Sequence, residues 1–399
     1  MNREIPVDVL RKRLDRVRAW MAEQDTDVLI GYGAPGWMGS RTLTAGYVRY
    51  LTGWTSSGLP AMVVLPREGT ASIITMGPHD TRAFELRSSW FGDVERAGAA
   101  TGWGKTVAEH VRRLAPGRVA TFGFGEVPYP LAVDLYAALD GHPLVDAEPA
   151  LDALRLVRDP EEIEMHRIGA GISDAMIQAA MEGAVADGMT GDRLMATIEN
   201  TGRLLGAGTP GTWLTLDEHP VTTYMEAMEI AKPVGPNDRV QLGTNLSYQG
   251  YFAQGLRIGV RGKPSAKLRE YAEHLIEIQD AGLAAMVPGA KLHTVSDAIE
   301  SGIDKFCPYE RDKDPFRFQS CHGLGLNYVE PGMARDLNAR RDRSRDGDDG
   351  VTIVEGMVIE VHPNFTTPEV GHVCAGDMAL VTSTGAEWLT KFPRGLFQL

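Results

Sequence analysis

The chain has 399 residues, enough for two domains, and its 43% hydrophobic and 23% charged content is that of a globular protein with an ordinary buried core. A formal net charge of −13 disfavours nucleic acid and anionic membrane as partners. No apolar run reaches the ~18 residues that span a bilayer, and Cys307, Cys321 and Cys374 are too few and too scattered for a disulfide framework.

The N-terminal stretch is charged and amphipathic and lacks the apolar core of a signal peptide, so a cytoplasmic setting is expected. Val9, Leu10, Leu14, Val17, Trp20 and Met21 recur at helical spacing and predict a helix over 5–23. TDVLIGYG reads as a buried strand, and AMVVLP and TASIITM as two strands joined by a turn. TVAEHVRRL predicts a helix, RVATFGF a strand and PLAVDLYAAL a helix, an alternation that fits an α/β domain over 1–155. Asp159-Pro160 followed by Glu161 and Glu162 carries the signals of a helix start, an acidic cap, Pro at the first position and acids in the first turn. This opens a second domain over 156–399. GDRLMATIENTG predicts another helix, and Asp238 to Arg257 two strands around a turn. AKLREYAEHLIEIQDAGLAAM and VSDAIESGIDKF predict two more helices, and the C-terminal third is strand-rich. The mixed-sign run Ala339 to Asp349 reads as a solvated loop.

Four stretches carry the most information: DRVQLGTNLSYQGYFAQGLR, FQSCHGLGLNYVEPG, VEGMVIEVHPNF and HVCAGDMALVTSTGAEWLT. In this order they resemble the creatinase/aminopeptidase P/prolidase family, closest in character to its creatinase-like members, which work without metal. The LRLVRDPEEIE junction and the closing Thr-Lys-Phe-Pro run add to the resemblance. It implies a small α/β N-terminal domain followed by a C-terminal pita-bread catalytic domain, an α/β (α+β) fold. It also implies a homodimer, with Trp37, Arg41 or Trp54 reaching the partner's pocket.

In the family's metallopeptidases two Asp, one His and two Glu hold two divalent ions, because hard cations need several fixed oxygen ligands. The Gly250-Tyr251 pair, Pro363 and Asp377 set the register and place Gly243, Gln254, His322, His362 and Ala375 at those positions. No carboxylate remains among the five, so no bound metal and no cofactor are expected. Strand alternation puts Glu360 on the same face as His362.

In creatinase the proton-transferring His lies in a His-Asn-Pro-Val-Thr-Thr loop, and Glu218-His219-Pro220-Val221-Thr222-Thr223 resembles it with a one-residue shift. The resemblance implies that His219 is the general base or acid, with His322 as a second catalytic group. His362, Gln254, Arg257, Tyr251 and Trp213 are expected to bind substrate. For Arg257 two roles stay open, pairing with a structural carboxylate or clamping a substrate acid. The Glu residues that hold creatine's guanidinium are replaced by Leu256 and His362, which excludes creatine.

These residues lead to the expectation of a metal-independent hydrolase of a C–N bond, of amide or amidine type, in a small neutral or anionic molecule. A lyase using the same residues is a variant. The alternatives are an altered-site metallopeptidase of Xaa-Pro type and a non-catalytic pita-bread binding protein.

Overall fold

The computed structural model describes residues 4–34, 45–54, 59–97, 102–183, 185–208, 210–221, 228–306, 321–330 and 351–399. The chain divides into two compact units, one running to Leu156 with Leu326–Tyr328 added, the other comprising Val157–Gly325 and Val329–Leu399. Both are α/β, as the periodicities predict. Trp37, Arg41, Thr222, Thr223 and the 339–349 run lie outside the described residues.

The first unit contains α1 (Val7–Glu23), β1 (Val28–Gly33), α2 (Ala45–Thr52), β2 (Ala61–Pro66), β3 (Ala71–Thr75) and α3 (Pro78–Ser88). It continues with β4 (Gly92–Arg96), α4 (Trp103–Leu114), β5 (Val119–Phe122), α5 (Tyr129–Ala138), β6 (Leu144–Asp146) and α6 (Glu148–Leu156). One six-stranded sheet has the order β4-β3-β2-β1-β5-β6. The central β1 is buried along its whole length, which is why TDVLIGYG is continuously apolar rather than alternating. A Cβ on Gly31 would lie 1.9 Å from the Phe122 ring, so only glycine lets β1 and that ring approach. Trp54 is 2% exposed and packs edge-on against Phe84 with ring centroids 5.4 Å apart. It is a core residue, not one presented to a partner subunit.

The second unit begins with α7 (Pro160–Met181) and α8 (Gly191–Leu204), followed by β7 (Gly211–Asp217), β8 (Arg239–Tyr248) and β9 (Tyr251–Val260). Next come α9 (Ala266–Ala284), α10 (Leu292–Phe306), β10 (Cys321–Gly323) and β11 (Val358–Val361). The chain closes with β12 (Asn364–Thr367), β13 (Gly371–Cys374), β14 (Asp377–Thr382), β15 (Gly385–Trp388) and β16 (Leu396–Gln398). The start of α7 is fixed as the sequence predicts: the Asp159 N–H donates to Glu162 Oε2 at 2.8 Å.

Two four-stranded sheets form, β16-β9-β8-β7 and β10-β11-β14-β15, beside the β12-β13 hairpin. In β8 the even positions face α7, where Thr244 Oγ1 meets Ser173 Oγ at 2.6 Å. The odd positions Gln241, Gly243 and Asn245 therefore face the other way. In β11, the Val361 side chain faces α9, where a Cβ on Gly282 would lie 3.2 Å from Val361 Cγ1, so Glu360 and His362 project from the opposite face. The sheets are joined where Leu256 and Gly376 exchange backbone hydrogen bonds of 3.0 and 3.2 Å.

Candidate active site

The face of β7–β9 turned away from α7 carries Trp213, Gly243, Gln254 and Leu256. Register sets Trp213 opposite Gly243 on β8, Gly243 opposite Leu256, and Asn245 opposite Gln254 on β9. From the other sheet come His322 and His362. His322 is the cross-strand neighbour of Glu360, and its ring meets that of His362 with centroids 5.1 Å apart at 67°. Both imidazoles are buried.

Each ring has a hydrogen-bond contact at Nδ1. His322 Nδ1 lies 2.9 Å from the Gly323 carbonyl, so Nδ1 carries the proton and Nε2 is the acceptor. The Asn364 amide donates to the His362 carbonyl at 3.0 Å and lies 3.4 Å from His362 Nδ1, so Nε2 is the ring nitrogen left open to a ligand. That Nε2 is buried and has no hydrogen-bond partner among the described residues. Burial, reinforced by the neighbouring His322, pushes the His362 pKa well below the ordinary histidine value, so the ring is neutral.

Glu360 completes the group from beneath. It is fully buried, and neither carboxyl oxygen has a hydrogen-bond partner among the described residues. A Cβ on Gly376 would fall 2.7 Å from Glu360 Oε1, so the carboxyl reaches the strand beside Ala375. Burial first and Asp377 second raise its pKa well above the usual carboxylate value, against the opposing pull of Arg257. It is a neutral acid. The alternation of Glu360 with His362 was the one sequence signal for it.

Arg257 is not free to hold a substrate. It grips Asp377 with two bonds of 2.8 and 3.1 Å, and donates also to the carbonyls of Leu256, Gly376, Phe392 and Pro393. Asp377 further accepts from Thr390 Oγ1 at 2.7 Å and Gln279 Nε2 at 2.9 Å. The Thr-Lys-Phe-Pro run thus supplies a structural brace. Tyr251 stands on the α7 side of its sheet, edge-on to His166 with centroids 5.4 Å apart, away from the Gly243 face. Glu330 is locked to Arg158 at 2.5 Å, both 1% exposed.

His219 is exposed and lies past the end of β7, beyond Asp217, which is paired with Arg239. Arg239 is four residues along β8 from Gly243, about 13 Å at strand spacing. His219 therefore belongs to a separate surface pocket with Arg239 and Lys263. The structure pairs the His322 and His362 rings and sets Trp213 and Gln254 on one face of the β7–β9 sheet; Arg257 is bound to Asp377, Tyr251 lies on the opposite face of its sheet, and His219 lines the Arg239 pocket.

The dinuclear metal site implied by the resemblance does not fit these residues. A Cβ on Gly243 would lie 2.9 Å from Trp213 Cε3 and 3.3 Å from Leu256 Cγ, so indole and leucine fill the space of a ligand side chain. Ala375 offers no donor. No group of three or more His, Cys, Asp or Glu among the described residues is placed to hold a metal ion.

Comparison with known proteins decides the family. The model of metallopeptidase family M24 matches residues 164–383, and that of the creatinase/prolidase N-terminal domain matches 13–157. The chain belongs to family M24. It is 28% identical over 244 residues to the Xaa-Pro dipeptidase of Pyrococcus furiosus, a match covering 61% of this chain and 65%, just under two thirds, of that enzyme. An uncharacterized peptidase of Bacillus subtilis, YqhT, is 24% identical over 353 residues, covering 88% of this chain and 93% of the relative. The prolidase of Pyrococcus horikoshii OT3 superimposes with a TM-score of 0.77 at 18% identity, covering 96% of this chain and 99% of the other. This confirms the two-domain pita-bread fold of a hydrolase family.

The same findings overturn the functional expectation. A metal-independent hydrolase of a non-peptide C–N bond, creatinase-like in character, is replaced by a peptidase affiliation, because the matching relatives are Xaa-Pro dipeptidases and peptidases. The expectation gave the lost ligands and the His219 loop more weight than the frame that carries them. Among the described residues no helix is long and apolar enough to cross a membrane.

Proposed function

We propose that this protein is an altered-site peptidase of the Xaa-Pro type, which takes a short peptide between Trp213, Gln254 and the His322–His362 pair. The observation that supports the reading is the buried imidazole pair, with ring centroids 5.1 Å apart and His362 Nε2 without a hydrogen-bond partner among the described residues. His362 Nε2–H donates to a substrate carbonyl, and His322 Nε2 accepts from the amine of the residue before proline. An Xaa-Pro bond has a carbonyl but no N–H, so one donor at the bond and one acceptor at the amine match it. Trp213 is half-buried and offers an apolar wall against which a proline ring packs. The neutral Glu360 adds a carboxyl donor below His362. The protein is placed by the same reading in the cytoplasm and as a homodimer, the latter measurable by sedimentation equilibrium.

No step is derived through metal ions, since Gly243 and Ala375 cannot supply ligands. That loss favours a second reading, binding of the same peptides without cleavage. Both are tested by following a panel of Xaa-Pro dipeptides for release of proline, as purified and with added Mn²⁺, Co²⁺ or Zn²⁺, beside calorimetric titration of the same dipeptides. Cleavage establishes the first reading, and saturable binding without cleavage the second. Absence of both, with Xaa-Ala dipeptides equally inert, sinks the proposal.

A further inference from the structure

A second site lies at the other end of the β7–β9 sheet. A pocket of about 190 Å³ is lined by Arg239, Lys263, Asn237, Ser265, His219 and Glu218, with apolar walls around them. Arg239 sits at its base and is 1% exposed. Its guanidinium donates to the carbonyls of Glu218 at 3.2 Å, His372 at 3.2 Å and Val370. These acceptors satisfy hydrogen bonds but carry no charge, and among the described residues Arg239 forms no ion pair. Asp217, the nearest acid along the register, spends Oδ1 on the His219 N–H at 2.9 Å. Burial pulls the Arg239 pKa down to about 10, while Cys374 and Asp217 act against that pull. A buried guanidinium without a carboxylate is costly, and an anion placed beside it relieves the cost.

Two further features lie at or beside the same pocket. Lys263 is exposed and has no ion pair among the described residues. Ser265 caps α9, accepting from the Leu268 N–H at 3.1 Å, and Arg269 N–H bonds the Ser265 carbonyl at 3.2 Å. The Ala266 and Lys267 N–H groups, at the positive end of this 19-residue helix, are left without a partner among the described residues. Glu218 at the rim is the one carboxylate lining the pocket. Arg239 and Lys263 thus bring two positive charges to a pocket lined by one carboxylate, with Asp217 close by, on a chain of net charge −13.

We infer that this pocket, formed by Arg239, Lys263 and the N-terminus of α9, binds the oxyanion of a small phosphate- or carboxylate-bearing molecule. Arg239 provides the buried charge, Lys263 the exposed one, and the helix N–H groups the directed donors. The inference does not depend on the proposed peptidase site, which lies on a different part of the sheet.

The test is isothermal titration calorimetry of the full chain with inorganic phosphate and, separately, with acetate. One saturable site is expected for at least one anion: phosphate alone assigns a phosphate-bearing ligand, acetate a carboxylate-bearing one. Lys263→Glu is expected to weaken binding by about tenfold or more, the scale of one lost charge-assisted contact. Lys232→Glu, a charge reversal outside the pocket, is expected to leave it unchanged. Lys263→Gln gives the same comparison if the reversal lowers the melting temperature. Saturation by neither anion, or equal weakening by the changes at Lys263 and Lys232, overturns the inference.

Discussion

Trp213 stands opposite Gly243 across the β7–β8 ladder, and its indole occupies the volume that a side chain on Gly243 would need. The first ligand position of the family is therefore not merely stripped but filled. Gly243→Asp alone is expected to destabilise the protein by about 1–3 kcal/mol through overpacking and to add no metal affinity. Combining it with Trp213→Ala relieves the clash. Urea unfolding of both variants, with Mn²⁺ titrations, checks this. A single Gly243→Asp variant of undiminished stability refutes it.

The Arg257–Asp377 pair is buried on both sides, 1% and 2% exposed. Asp377→Ala leaves the guanidinium uncompensated and is expected to cost about 3–5 kcal/mol. Arg257→Met together with Asp377→Leu removes both charges and is expected to lose less than the single change. Denaturant midpoints of the three proteins decide the point, and they separate a structural Arg257 from a substrate clamp.

Glu360 and His362 give stability opposite dependences on pH. The folded pKa of Glu360 is raised above the ordinary 4.5, so the folded state holds this proton after the unfolded chain has released it. Its stabilising contribution is complete below pH 4.5 and is lost as pH rises to the folded value. The folded pKa of His362 is depressed below 6.5, so its contribution is complete above pH 6.5 and is lost as pH falls towards the folded value. Glu360→Gln mimics the neutral acid. Its stability relative to the parent is expected to be unchanged in acid and to rise with pH above 4.5. His362→Gln is expected to gain on the parent as pH falls below 6.5. Unfolding curves across this range for the three proteins read out both slopes.

Cys321 and Cys374 are both buried, and burial raises their thiol pKa values, that of Cys374 to about 12. Neither is expected to react with iodoacetamide in the folded protein at mildly alkaline pH, where an exposed cysteine does. Both are expected to react after unfolding in urea. Peptide mapping by mass spectrometry distinguishes the two sites, and rapid labelling of either in the native state contradicts the packing described.

Much of this was legible from order and alternation. Pro363 and Gly250-Tyr251 are local register marks, and the motif spacing of the resembling family, not periodicity, carries them to His362, Gln254 and Gly243. The Asp159-Pro160 signal is likewise local and defines the start of α7 closely. What the sequence did not yield depends on contacts between distant strands. Nothing near Trp213 in the chain tells which residue faces it, because β8 lies about twenty-five positions further on. Arg257 left two roles open, since its partner Asp377 and the carbonyls of the last turn meet it only after the two sheets join. That His219 lines a pocket with Arg239 and Lys263 was not legible either, because a loop motif carries no measure of where its strand ends.

The brace around Asp377 lies directly behind Gly376 and Ala375, where the family places a ligand. Arg257, Gln279 and Thr390 hold that corner by protein contacts alone. Many small metalloproteins unfold when their ion is withdrawn, because binding and folding are one event. Here the two are separable: the corner beside Ala375 is held without an ion. Withdrawal of an ion is therefore no threat to this fold, and a change of reactive group at that corner need not cost it its shape.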